Sequence, residues 1–251
     1  MISGWRWAAN LATLGNALCG AGAIGYTLGG NKLFALFLIL AGMAFDGMDG
    51  LFSRRSGLQS GVFGRVVDSL ADALTFCGAP AVLLALNTYD RSLWAPYDPL
   101  AYGVAATVAS LGVFRLIHYT RTAYDQPHFQ GASTPQNALL LVFLIPLFQV
   151  PGFLGEQPLW LLGIALAFAP LMVLPIPYPK IRRGVSTRSL TAAISLLAAV
   201  SLLILVFSPS RGSIPYLTAA GTTLAGFGLL LVLYAVAPLS VHRKRALYVA
   251  A

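Results

Sequence analysis

The sequence predicts an all-α integral membrane protein of about eight transmembrane helices with both termini in the cytoplasm. Three observations carry this. Hydrophobic residues make up 57% of the 251 positions and charged residues 10%, a composition that excludes a soluble globular domain. Apolar runs near the bilayer-crossing length of about 20 residues occupy 9–28, 32–54, 62–88, 99–120, 135–150, 157–176, 188–207 and 215–237, the fifth being short. Basic residues segregate as well: with the N-terminus inside, thirteen Lys and Arg residues are cytoplasmic and three (Lys32, Arg91 and Arg211) are not, which satisfies the positive-inside rule. The net charge of +8 therefore marks cytoplasmic loops facing anionic lipid, and no basic tract with interleaved aromatics points to nucleic acid.

In chain order, residues 1–8, with Trp5, Arg6 and Trp7, read as an interfacial anchor. The N-terminus carries no small-residue cleavage pattern and is expected to be retained. The first apolar run bears Thr13, Asn16 and Gly20 at three- and four-residue spacing, a polar stripe suited either to ligand contact or to interhelical hydrogen bonding. Cys19 and Cys77 lie in apolar runs and read as small packing residues. The chain has eight acidic residues, and four of them fall between Asp46 and Asp72. Asp46 and Asp49 are three apart, Asp68 and Asp72 four apart, so each pair projects from one face of a helix. Four carboxylates cannot share a low-dielectric site as bare anions; protons or divalent cations must offset the charge. An all-oxygen cage favours Mg²⁺ or Mn²⁺, which usually bind together with a substrate phosphate.

Gly50 and Gly64 lie one turn from these carboxylates on the same faces and clear room for a ligand or a close helix contact. Arg54, one turn beyond Gly50, suits a phosphate oxygen. The positive-inside orientation sets the cluster at the cytoplasmic ends of runs two and three, so the site is expected to face the cytosol. Pro80 should kink the third helix above it. The fourth run ends in Arg115, His118 and Arg121, which suit a basic juxtamembrane edge, and Arg115 at this depth also suits an anionic ligand. The proline-basic loop from Pro175 to Arg183 contacts headgroups, fixes topology or binds lipid phosphate. Runs seven and eight read as scaffold or dimer surface, and residues 1–251 as one polytopic membrane domain.

Asp46-Gly-Met-Asp49-Gly50-Leu-Phe-Ser53-Arg54, nine residues, then Gly64-Arg-Val-Val-Asp68-Ser-Leu-Ala-Asp72 resembles the signature of the CDP-alcohol phosphotransferase family. Ser53 replaces the usual alanine, and the spacer is about one residue longer than usual. Outside the signature, Asn10 to Gly20, Asp68 to Pro80 and Arg115 to Tyr119 resemble the phosphatidylserine synthase subgroup, with Cys77 inserted after Phe76 and His118 in place of a second arginine. Phe129 to Asn137 is a looser match, with Ala132-Ser133 for Leu-Pro.

The resemblance implies transfer of a phosphatidyl or archaetidyl group from a CDP-linked lipid to L-serine, with release of CMP, by a homodimeric enzyme of the cell membrane. It implies that Asp46, Asp49 and Asp68 ligate metal, and that Asp72 completes the cage and acts as general base. Thr13, Asn16, Asp49, Gly50, Arg54 and Gly64 would then serve the nucleotide diphosphate, and Arg115, His118 and Arg121 the acceptor. Other acceptors, such as glycerol 3-phosphate, inositol or inositol phosphate, remain open within the family. A cation-coupled transporter is the reading from another class, with the aspartates as an ion path; a cluster at one membrane face fits it poorly, because transport sites lie near the midplane.

Overall fold

The computed structural model describes residues 2–56, 62–86, 97–123, 128–148, 158–175 and 177–179. Helices α1 (Ile2–Leu28) and α2 (Lys32–Ser56) form an antiparallel pair. Their turn follows from Gly29-Gly30-Asn31. Gly30 adopts φ +83°, which costs a glycine nothing, and the N–H groups of Gly30 and Asn31 donate to the carbonyls of Thr27 and Tyr26 at 3.0 and 2.8 Å. These two bonds close α1 as a Schellman cap. The Asn31 side chain then accepts from the Phe34 N–H at 3.2 Å and opens α2. Ring contacts tie the pair at both ends, Tyr26 to Phe34 with centroids 4.4 Å apart and Trp5 to Phe52 at 5.8 Å.

Helix α3 (Val62–Asp72) passes through a π-helical turn, Ala73–Gly78, into α4 (Ala79–Ala85). Pro80 has no N–H to donate, and its ring crowds the carbonyl four residues back. The wider turn just before it relieves that conflict, so the irregularity expected at Pro80 takes the form of a π turn that begins directly after Asp72. Helix α5 (Asp98–His118) also runs into a π turn, Tyr119–Ala123. Helix α6 (Thr134–Leu147) starts with a capping box: the Ser133 hydroxyl accepts from the Gln136 N–H, and Gln136 Oε1 accepts from the Ser133 N–H. Helix α7 (Pro158–Phe168) continues as a 3₁₀ turn, Ala169–Met172.

Two short strands, β1 (His128–Gln130) and β2 (Pro177–Pro179), pair antiparallel with Phe129 opposite Tyr178. They tie the approach to α6 to the chain beyond α7. Gly131 is required at this junction: its φ is +73°, and the Met172 carbonyl occupies the place a Cβ would take. The Ala132 N–H donates to the Leu171 carbonyl at 2.8 Å.

Helix α6 is the hub of the core. From Ala138 to Ile145 no residue is more than 2% exposed, which suits a helix that is apolar on every face. Leu36 and Ile39 of α2, Phe76 of the first π turn, Leu83 of α4, Val104 and Val108 of α5, and Leu161 and Leu162 of α7 join it in one cluster. Large apolar side chains also point outward, among them Leu11, Leu14 and Leu18 on α1 and Phe63 and Leu70 on α3, as expected of faces solvated by lipid.

Among the described residues, four segments are long and apolar enough to cross a membrane: α1, α2, α3 through α4, and α5 with its π turn. Helices α6 and α7 match the expected fifth and sixth runs but are shorter than the roughly 20 residues a crossing needs. The expected seventh and eighth runs lie outside the described residues. Residues 2–8 form the first turns of α1 itself.

Candidate active site

Two helices supply the carboxylates and a third holds them. Asp68 and Asp72 occupy successive turns of α3 and face α2 together. One carboxylate oxygen from each of Asp46, Asp68 and Asp72 lies within 4.8 Å of the other two, and all three residues are half-buried. Asp49, one turn along α2, stands beside Asp68. Its Oδ2 accepts a hydrogen bond from the Thr13 hydroxyl at 3.1 Å. Asn16, one turn along α1 from Thr13 and fully buried, donates from Nδ2 to Asp72 Oδ1 at 2.9 Å. The polar stripe of α1 thus reaches both acidic pairs, Thr13 on the α2 side and Asn16 on the α3 side.

Below the carboxylates the three helices meet almost backbone to backbone. The Thr75 hydroxyl, in the first π turn, donates to the Asn16 carbonyl at 2.8 Å. A Cβ on Gly20 would fall 2.5 Å from Thr75 Oγ1. One on Gly42 would fall 2.5 Å from Thr75 Cγ2 and 3.1 Å from Asn16 Oδ1. No real side chain tolerates such distances, so both glycines are conditions of the approach.

Carboxylates this close repel one another, and a divalent cation offsets the repulsion with the oxygen donors it prefers. Asp68 Oδ1 is buried and has no hydrogen-bond partner among the described residues, which leaves its lone pairs available to a ligand. The donor set is therefore one that a divalent cation fits.

The remaining expected residues are placed unequally. Gly50 is half-buried on α2 and Gly64 exposed on α3. Arg54 belongs to the last turn of α2, and its side chain lies outside the described residues. Arg115 is buried on α5, its guanidinium carbon 5.8 Å from the Tyr119 ring centroid. His118 stacks on Phe114 at 6.3 Å and is exposed, as is Arg121. Of these three, only Arg115 turns inward. Sequence reasoning gave no role to Thr75 or Gly42, although one stands a turn after Asp72 and the other a turn before Asp46. It also passed over Ser69, whose hydroxyl pairs with that of Thr120 at 2.9 Å and fastens α3 to the π turn after α5.

A family model described as CDP-alcohol phosphatidyltransferase matches residues 6–174. The chain is 28% identical over 173 residues to the archaetidylserine synthase of Methanothermobacter thermautotrophicus, covering 68% of this chain and 69% of that protein. It is 30% identical over 178 residues to a CDP-diacylglycerol–serine O-phosphatidyltransferase of Helicobacter pylori, covering 69% and 72%. A Bacillus subtilis protein of the same name is 33% identical over 135 residues, 53% of this chain and 72% of the relative. The matched region takes in α1, the carboxylates of α2 and α3, and the helices packed behind them. On that evidence the chain belongs to the CDP-alcohol phosphatidyltransferase family.

Proposed function

We propose that this protein transfers a phosphatidyl or archaetidyl group from a CDP-linked lipid to L-serine and releases CMP. The observation that carries the reading is the convergence of Asp46, Asp68 and Asp72 from two helices on one half-buried point. Similarity to relatives named for serine transfer supports the acceptor.

Asp46, Asp49, Asp68 and Asp72 would hold Mg²⁺ or Mn²⁺, which would supply positive charge against the donor diphosphate and the departing CMP. Asp72, steadied by Asn16, takes the proton of the serine hydroxyl. The serine oxygen bonds to the lipid-bearing phosphorus while the bond from that phosphorus to the bridging oxygen breaks, and CMP leaves with the electron pair. Arg54 holds a phosphate oxygen, and Gly50 and Gly64 leave space for the nucleotide. Thr13 serves the nucleotide end by fixing Asp49. Buried Arg115 pairs with the serine carboxylate, while exposed His118 and Arg121 line the approach.

The site opens to the cytosol, the protein resides in the plasma membrane, and residues 1–251 act as one membrane domain with both termini cytoplasmic. The family resemblance implies a homodimer; a detergent-corrected protein mass of 26.5 kDa in light scattering would refute it. The decisive assay is CMP release from CDP-diacylglycerol and from its ether-linked counterpart. Serine, glycerol 3-phosphate, inositol and inositol phosphate are offered separately with Mg²⁺ or Mn²⁺, with a chelator control. Serine-dependent, chelator-sensitive release is expected; release with another acceptor alone overturns the serine assignment.

A further inference from the structure

Thr134 is the first residue of α6 and is 1% exposed, yet its hydroxyl has no hydrogen-bond partner among the described residues. Other threonines on these helices are satisfied. Thr27, Thr107 and Thr120 each donate to the carbonyl four residues back, Thr13 donates to Asp49, and Thr75 donates to Asn16. At the first position of a helix no such carbonyl is in place, because the residue four back precedes the helix. The capping box of Ser133 and Gln136 does not engage Thr134 either. Leaving a buried hydroxyl in this state is unfavourable, which fits a group reserved for a ligand.

Its surroundings name the ligand. The Thr134 methyl lies 3.8 Å from where a Cβ on Gly112 would stand, and Cys77 Sγ lies 2.6 Å from the same point. The missing side chain at Gly112 thus brings α5, the π turn after Asp72 and the start of α6 together. Arg115 follows Gly112 by one turn on the buried face of α5. A buried cation and a hydroxyl in need of a partner therefore flank the π turn that leads from Asp72. We infer that the Thr134 hydroxyl donates to the carboxylate of an amino-acid acceptor held by Arg115, which makes Thr134 a residue that selects the acceptor. The inference rests on the serine reading above. A small zwitterion suits this pairing chemically, because a carboxylate accepts from both a guanidinium and a hydroxyl and the side-chain hydroxyl is left for Asp72.

The test compares wild type, Thr134→Val and Thr134→Ser in CMP release at saturating CDP-lipid with serine varied, together with CMP binding and thermal midpoint. Valine keeps the shape and removes the unpaired hydroxyl, so the thermal midpoint should hold or rise. The expected result is a serine KM about tenfold higher in Thr134→Val, with kcat and CMP affinity within about twofold, and a value near wild type in Thr134→Ser. An unchanged serine KM in Thr134→Val overturns the inference, and so does a loss confined to CMP affinity. If Thr134→Val fails to fold, a serine KM raised to the same degree in well-folded Thr134→Ser also overturns it, since that variant keeps the hydroxyl. Wild type that turns over only with an acceptor lacking a carboxylate refutes the serine reading and this inference with it; a normal wild type beside an indifferent Thr134→Val refutes this inference alone.

Discussion

Asn16 donates from Nδ2 to Asp72 Oδ1 at 2.9 Å, while its own backbone carbonyl is held by the Thr75 hydroxyl at 2.8 Å. The amide thus aims the carboxylate assigned as base and is itself held from the next turn of that carboxylate's helix. Asn16→Ala should lower kcat about 10²-fold with the CDP-lipid KM little changed, because small misplacements of a reacting group cost that much. Steady-state kinetics of CMP release checks it. A raised donor KM at unchanged kcat would instead return Asn16 to the nucleotide.

Asp72→Asn keeps the shape and the contact with Asn16 but cannot take a proton. Turnover should fall by about 10³-fold or more, whereas CMP should still bind in calorimetry, since Asp46, Asp49 and Asp68 remain. Substantial residual turnover would remove Asp72 as the base.

Thr13 reaches Asp49 across the α1–α2 contact. Thr13→Val should raise the Mg²⁺ or Mn²⁺ concentration for half-maximal activity by about tenfold, the equivalent of one hydrogen bond to a charged group. An unchanged cation titration would show that the hydroxyl does not matter to Asp49.

The glycines under the cluster make a paired prediction. Gly42→Ala forces a methyl against Thr75 and Asn16 and should destabilise the protein by about 1–3 kcal/mol, lowering both the thermal midpoint and activity. Gly25→Ala on α1 meets nothing within 4 Å among the described residues and should be neutral or slightly stabilising. Equal behaviour of the two variants in a thermal shift assay would contradict the close approach of the three helices.

The carboxylate cluster was legible in the sequence because one-turn spacing puts Asp68 and Asp72 on one face in any helix. The stripe of Thr13 and Asn16 was legible as a stripe. Which aspartate each would reach was not, since that depends on how far α1 slides along α2 and α3. Four of the expected runs appear as helices long enough to cross a membrane, because length and hydropathy are local properties. The central place of α6 was hidden, for a helix apolar on every face reads the same whether protein or lipid surrounds it. Thr134 escaped notice for a similar reason: its hydroxyl lacks a partner only because the helix begins there. Pro80 announced an irregularity but not its form, as a kink and a π turn both relieve a missing N–H.

The π turn between Asp72 and Ala79 works as an indexing joint. Each residue added to or removed from a helix rotates whatever follows by about 100°, so the extra residue in this wide turn sets two headings along one span. The half before it presents carboxylates to α1 and α2, and the half after it presents Leu83 to the core around α6. Shortening the turn by one residue would keep every side chain of both halves and still point one of them the wrong way. The chemistry and the anchoring of this helix are therefore separable, and substitutions in α4 can retune packing without turning the aspartates.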